Sequence, residues 1–385
     1  MRIAFYAPMK PVEHPTPSGD RRMARAFVAL LHALGHEVEI ASSLRSYDRE
    51  GDPERQMAIR AAAEMKAARL IADWRSQAKP APDLWFTYHS YHKAPDWLGP
   101  AVANELRMPY VVAEASVAGK QANGAWALGH RATIEGINSA AKVLAMTRVD
   151  AVDLAKWLSE TRNLVLFPPF LAQRLKPSAE PTAARRGLSS ALGLAMAPVW
   201  LVTVAMMRRD IKTESYRLLA RALTAMHRDN WRLLVIGDGE NAVEVRAHLT
   251  SAAGDRVRFL GQLDSEALAT TLCAADVFVW PALREAYGMA ILEALSLGLP
   301  VVACDGGGVS DLVEHEGNGL LAKERSATGL ATCLDRLVDD PALRAGLAAR
   351  ARAGFEERHS PGAAAARMAS ILASVAGAEG RSPCA

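Results

Sequence analysis

Short apolar runs alternate with longer stretches of helical periodicity along most of the chain. Arg2 to Ala7 is one such run; a loop with Pro15, Pro17 and Gly19 follows, then a helical pattern from Asp20 to Gly35 and a second run from Glu37 to Ala41. Strand, helix and strand in this order require parallel pairing through a right-handed crossover, and the ends of such strands form a ligand crevice. The same reading predicts strands at Leu84 to Tyr88, Tyr110 to Ala113 and Lys142 to Met146, and a long Ala- and Arg-rich helix from Pro53 to Lys79.

The pattern breaks between Gln173 and Pro198, where Lys176, Pro177, Pro181, Arg185, Arg186 and Gly187 stand without clear periodicity. This stretch reads as a connection between domains. Beyond it the alternation restarts, with strands predicted at Trp200 to Met206, Arg232 to Ile236, Val257 to Leu260, Val277 to Trp280 and Val301 to Ala303. Helices are expected between them at Glu214 to Arg228, Ala242 to Ala252 and Ala286 to Leu297. The expected fold is α/β, two Rossmann-like doubly wound domains facing a central cleft, over residues 1–172 and 198–357 with 173–197 as linker.

Composition narrows this picture. The 385 residues exceed one ordinary domain of about 100–200 residues. The 45 Lys plus Arg nearly cancel the 42 Asp plus Glu, so no nucleic-acid partner is expected. Cys273, Cys304, Cys333 and Cys384 lack the spacing of a zinc site or disulfide framework. No run approaches the roughly 18 apolar residues of a membrane span, and the first residues lack a signal-peptide pattern. A cytoplasmic protein is expected; Arg60, Lys66, Arg69 and Arg75 on the long helix would allow peripheral contact with the cytoplasmic face of a membrane.

The chemistry concentrates between Pro281 and Leu321. Glu285 stands at a strand-to-helix turn and Glu293 eight residues on, in the otherwise apolar run Met289 to Leu297. The free amides at that helix start, near Tyr287, Gly288 and Met289, suit a diphosphate. A carboxylate on each side of the anion can accept hydrogen bonds from sugar or ribose hydroxyls. The plain alternative is a pair of solvated glutamates, although an unpaired charge at Glu293 would be costly to bury.

This stretch resembles the retaining glycosyltransferases of the glycogen synthase and sucrose synthase type, the GT-B enzymes of family 4 also described as glycosyl transferases group 1. Their signature of two glutamates separated by seven residues is followed here by Gly298, Pro300, Val301, Val302, Ala303 and the turn Gly306 to Gly308. The resemblance implies a metal-independent transferase acting on a UDP, GDP or ADP sugar and a glycan or lipid-linked acceptor. It implies Glu285 on the sugar hydroxyls, Glu293 on the ribose and a base pocket near Phe259, Leu260 and Gly261. It also implies a C-terminal helix, about residues 358–378, that returns to the first domain.

In the family an Arg and a Lys after the first strand of the donor domain hold the diphosphate. Here the segment reads VAMMRRDIKTESY, with Ala205 in place of the customary glycine, so Lys212 is matched with Arg208, and Arg209 is the neighbouring alternative. Glu285, Arg208 and Lys212 are therefore the expected catalytic groups. In the first domain Gly19, flanked by Ser18 and Asp20, stands where the family places a glycine pair near the donor phosphate; Asp20 reads equally as a helix N-cap. His89 and His92, in the strand-end run Tyr88 to Lys93 before Trp97, suit an acceptor sugar; Glu114 in VVAEASVAG replaces a histidine frequent in the family. A metal reading of the two histidines lacks a neighbouring carboxylate or cysteine, and no Asp-x-Asp triplet occurs.

Two other readings compete. Gly237-Asp238-Gly239-Glu240-Asn241-Ala242 matches the Gly-x-Gly-x-x-Ala turn of dinucleotide oxidoreductases, although the acid expected about 20 residues on is replaced by Gln262. The glycine turn, Gly237 included, is also common among the glycosyltransferases. A non-catalytic sugar-nucleotide-binding protein would keep the same donor residues.

Overall fold

The computed structural model describes residues 1–16, 18–323 and 325–376; Pro17, Cys384 and the end of the expected 358–378 helix lie outside the described residues. The chain divides into two compact units, Met1–Ala172 together with the C-terminal helix, and Gln173–Ser360.

In the first unit, strands β1 (Arg2–Tyr6), β2 (Glu37–Ser42), β3 (Leu84–Tyr88), β4 (Tyr110–Ala113), β5 (Lys142–Ala145) and β6 (Leu164–Leu166) form one parallel sheet in the order β2-β1-β3-β4-β5-β6. Helices α1 (Gly19–Ala33), α2 (Pro53–Arg75), α3 (Gly99–Leu106), α4 (Ala127–Ser139) and α5 (Arg148–Ala155) link them. A parallel sheet covered on both faces needs apolar strands, and β3 is buried at every position. Phe27 of α1 meets Phe86, Tyr88, Phe167 and Phe170 at ring separations of 5.2–5.6 Å. Trp85 packs against Trp74 and Tyr6.

Two local expectations change here. The N-cap of α1 is Ser18, whose Oγ accepts from the Arg21 amide at 3.2 Å, which frees the Asp20 side chain for another contact. The basic side chains of α2 are partly paired: Arg60 meets Glu64 at 2.8 Å and Arg75 meets Glu105 of α3, so part of its basic face is neutralised.

The second unit repeats the plan. Strands β7 (Val199–Val204), β8 (Trp231–Ile236), β9 (Val257–Gly261), β10 (Val277–Val279), β11 (Val301–Cys304) and β12 (Gly319–Ala322) pair in parallel in the order β12-β11-β10-β7-β8-β9. Its helices are α6 (Pro181–Leu192), α7 (Ile211–Ala225), α8 (Ala242–Ala253), α9 (Ser265–Ala274), α10 (Met289–Ser296), α11 (Val309–Leu312), α12 (Ala327–Asp339) and α13 (Pro341–Arg358).

The stretch expected as a linker is part of this unit, because α6 lies in it and packs against α9. Ala184, Leu188, Ala191 and Leu192 make a short apolar stripe on α6, of which only Ala184 is fully buried. Arg185 also fixes it, reaching the Asp276 carboxylate at 2.7 Å and the carbonyls of Ala274, Met196 and Pro198 while its guanidinium covers the Trp200 ring.

The last helix, α14 (Pro361–Ala376), belongs to the first unit. It buries Ala364, Met368, Ile371, Leu372 and Val375, packs on α1 and carries Arg367 over the Phe167 ring. Among the described residues no helix is long and apolar enough to cross a membrane.

Each sheet has one switch point, where successive connections leave in opposite directions: between β1 and β3 in the first unit and between β7 and β10 in the second. Ligands of doubly wound folds bind outside the carboxyl ends of those strands.

Candidate functional site

The loop leaving β7 carries Arg208 and Arg209, and α7 begins with Lys212 in its first turn. Asp210 caps α7, its Oδ1 accepting from the Lys212 amide at 2.8 Å. The Gly237 to Gly239 turn holds this loop from the side: the Met207 amide donates to the Asp238 carbonyl at 2.9 Å, and the Asn241 amide to the Met207 carbonyl at 2.9 Å. Gly237 and Gly239 have φ of 134° and 156°, and a Cβ on them would lie 2.0 Å from the Ala205 carbonyl oxygen and 2.5 Å from that of Met207. Backbone packing inside the unit therefore demands both glycines, whatever ligand the turn faces. The Tyr216 hydroxyl donates to the Ala205 carbonyl at 2.8 Å, and Thr213 Oγ1 to the Arg208 carbonyl at 2.6 Å, completing the brace.

Glu285 comes from the loop after β10. That loop differs from expectation: α10 starts at Met289 rather than at Ala286, because Ala282, Arg284 and Gly288 take left-handed φ of 55°, 53° and 82°. Strained non-glycine backbone of this kind persists where its surroundings fix it and concentrates at functional loops. Here the Leu283 amide donates to Ser215 Oγ, and a Cβ on Gly307 would lie 2.9 Å from the Glu285 carbonyl oxygen.

The structure brings Lys212 and Glu285 into direct contact, Nζ to Oε1. Trp280 Nε1 donates to the same carboxylate oxygen at 3.2 Å, and the ammonium lies 5.6 Å from the Trp280 ring centroid. The two charged side chains keep only 21% and 19% of their surface exposed. Burial pulls the Lys212 ammonium down to about 8, with Asp210 opposing the fall and Arg208 adding to it. Arg208 is half-buried, with Nη2 3.2 Å from Met206 Sδ, whereas Arg209 is exposed and its amide donates to Glu240. Of the two arginines, Arg208 is the one whose charge acts on Lys212. Trp280 was not singled out from the sequence; an indole at a strand end reads as core until its N–H partner is known.

Glu293, the fifth residue of α10, is 2% exposed, a buried carboxylate in an apolar helix. Tyr287 is buried, Gly288 is the N-cap, and no side chain caps the helix start at Met289. Phe259, Leu260 and Gly261 end the edge strand β9 half-buried; Arg246 covers the Phe259 ring and the Gly261 carbonyl accepts from the Gly237 amide at 2.8 Å.

In the first unit, Asp20 Oδ1 lies 3.2 Å from His89 Nδ1, and the Tyr88 hydroxyl donates to Glu114 at 2.5 Å. His89 and Glu114 follow β3 and β4 directly, each with left-handed backbone at φ 62° and 55°. Burial would raise the Asp20 carboxyl, but the His89 contact and charge hold it below the usual range. His92 packs against the Tyr91 and Trp126 rings, and burial with Lys93 nearby drops it to about 4, so it is neutral. A Cβ on Gly19 would meet nothing within 4 Å, so packing within the chain does not require that glycine. Among the described residues no group of three His, Cys, Asp or Glu is placed to hold a metal ion. Asp96, which sequence reading passed over, is a buried carboxylate satisfied by Thr87, Tyr110 and the amides of Leu98 and Gly99.

Residues 198–340 match the family described as Glycosyl transferases group 1. A GDP-mannose-dependent monoacylated alpha-(1-6)-phosphatidylinositol monomannoside mannosyltransferase of Corynebacterium glutamicum is 33% identical over 154 residues, 38% of this chain and 40% of that protein. Alpha-D-kanosaminyltransferase of Streptomyces kanamyceticus is 28% identical over 237 residues, 61% of each. These matches span less than two thirds of either relative. The solved structure of Anabaena HepE in complex with UDP and glucose is similar with a TM-score of 0.70 at 18% identity, over 97% of this chain and 100% of that one. That likeness concerns the fold, which is GT-B.

Proposed function

We propose that this chain, whose residues 198–340 carry a glycosyl transferases group 1 domain, moves a sugar from a nucleotide diphosphate to an acceptor hydroxyl with retention of configuration. The Lys212–Glu285 contact at the switch point of the second sheet carries the reading. A cation and a carboxylate held together there offer one group for a leaving diphosphate and one for sugar hydroxyls. The named donors of the relatives support a nucleotide diphosphate: one is GDP-mannose-dependent, and a structural neighbour holds UDP.

In this reading Lys212 and Arg208 neutralise the charge that develops on the diphosphate as the anomeric carbon–oxygen bond breaks, in a site with little water. The uncapped start of α10, at Gly288 and Met289, donates amides to the same phosphates. Glu285 exchanges its contact with Lys212 for hydroxyls of the transferred sugar, while Glu293 takes the ribose and the 259–261 backbone faces the base. The acceptor oxygen forms the new bond on the face the diphosphate leaves, and its proton passes to the departing phosphate oxygen. Fixed cations and helix amides supply the charge stabilisation, so no metal is required. His89, His92 and Glu114 receive a glycan or lipid-linked acceptor, and the remaining cations of α2 suit contact with an anionic membrane surface.

The test is a thermal-shift panel of UDP, GDP, ADP, their sugar conjugates, NAD and NADP, repeated on Glu293→Ala. Stabilisation by one nucleotide diphosphate, lost in the variant, supports the donor site and names the base. Stabilisation by a dinucleotide alone overturns it.

A further inference from the structure

We infer that Asp20, His89 and Glu114 form a hydroxyl-binding subsite in which His89 is a positioning residue, holding the two carboxylates for a vicinal hydroxyl pair of a sugar or polyol. The inference rests on the glycosyl-transfer reading for the sugar-like nature of the ligand and on geometry for the rest.

The backbone gives the first argument. Strands β3 and β4 are neighbours in register, Tyr88 opposite Ala113, and the next residue of each turns left-handed as it leaves the sheet. The His89 amide still donates to the Ala113 carbonyl and the Glu114 amide to that of Leu144, both at 2.9 Å. A left-handed non-glycine residue costs about 1–2 kcal/mol, and glycine would avoid it. Two such residues at adjacent strand ends beside the switch point are consistent with a need for both side chains.

The side chains give the second. Asp20 reaches His89 from the first turn of α1, and Tyr88 braces Glu114 from β3. The Tyr91 ring lies 5.1 Å from the imidazole at a 35° tilt, offering an apolar face to sugar C–H groups. His89 and Asp20 keep 17% and 29% of their side-chain surface exposed, enough for a ligand to reach them.

Charge gives the third. Burial would lower the His89 ring, but Glu114, the Asp20 contact and Asp150 on α5 outweigh it and raise the ring's proton affinity. The charge of Lys10 also acts on Asp20, and that of Arg45 on Tyr91. A proton on His89 would offset carboxylate charge and leave acceptor lone pairs on Asp20 and Glu114, which suit neutral hydroxyl donors better than a phosphate.

The test uses the full chain labelled with 15N-histidine. In NMR titrations His89 should change protonation above about 6.5. Asp20→Asn and Glu114→Gln should each lower that midpoint. Titration with glucose, maltose and myo-inositol should shift the His89 resonances, with affinity at least tenfold weaker at pH 9 than at pH 6.5. His89→Asn, which tolerates the left-handed backbone, should bind weakly and equally at both pH values; a purely structural His89 would leave the pH profile unchanged.

A midpoint below 6.5, no response to Asp20→Asn, or no polyol effect overturns the subsite. Nucleotide stabilisation measured on the same samples reads the second unit. If it persists while the polyol result fails, only this inference falls; if it is absent, the glycosyl-transfer reading falls and the His89 midpoint still decides the clamp.

Discussion

Gly237→Ala isolates what the glycine turn does for the loop after β7. At φ 134° an alanine is strained by about 1–3 kcal/mol. Its Cβ would sit 2.0 Å from the Ala205 carbonyl, so the end of β7 must retreat by about 1 Å, an overpacking cost of about 1–3 kcal/mol more. A total of about 2–6 kcal/mol corresponds to a fall of roughly 5–20 °C in the melting temperature of a unit this size. Because the displaced strand end leads into Arg208 and Lys212, nucleotide diphosphate affinity at 20 °C should also drop, by tenfold or more. Gly187→Ala is the matched control: it lies exposed within α6 with nothing within 4 Å of its Cβ and should stabilise by about 0.5–1 kcal/mol. The assay is calorimetric unfolding of the three proteins side by side. A Gly237→Ala protein that melts within about 2 °C of the parent would refute the argument that the turn exists for close packing.

Two further predictions follow from the same geometry. Lys212 loses its proton as pH rises through about 8, so diphosphate binding should weaken above that pH and, at pH 8–9, take up a proton that calorimetry in buffers of different ionisation enthalpy can count; Lys212→Ala should abolish the uptake and cut turnover about 10²–10³-fold. The sign for stability is opposite: between about 8 and the ordinary lysine value the unfolded chain binds more protons, so this group makes stability rise with pH. Removing α14 uncovers Phe167 and the α1 face, and with about 1.5–3 kcal/mol for each large apolar side chain such as Met368, Ile371 and Leu372, the first unit should lose cooperative unfolding in circular dichroism.

The doubly wound halves were legible because buried parallel strands must be continuous apolar runs; Glu285 and Glu293 stood out as candidates because their spacing sits in a family signature. Other features left no local trace. Ala282, Arg284 and Glu285 are compatible with a helix by composition, yet the chain turns left-handed among them because contacts with Ser215 and Gly307 fix the loop. Helix α6 was masked by its proline, glycine and arginines, and its anchor, the half-buried Arg185 on Asp276, joins residues far apart in the chain. The pairing of Asp20 with His89 joins residues far apart in sequence, and only the topology that sets β1 beside β3 brings them together.

The assignment of α14 to the first unit means that the second unit is inserted within the first. During synthesis, about 190 residues from Gln173 to Ser360 must be made before α14 emerges, roughly 10–40 s at ribosomal rates of about 5–20 residues per second. For that interval the α1 face that α14 covers stays open, and the nascent first unit presents that surface to whatever is near. The second unit, complete by Ser360, has no such wait, so the order of maturation in the cell runs opposite to the order of the chain.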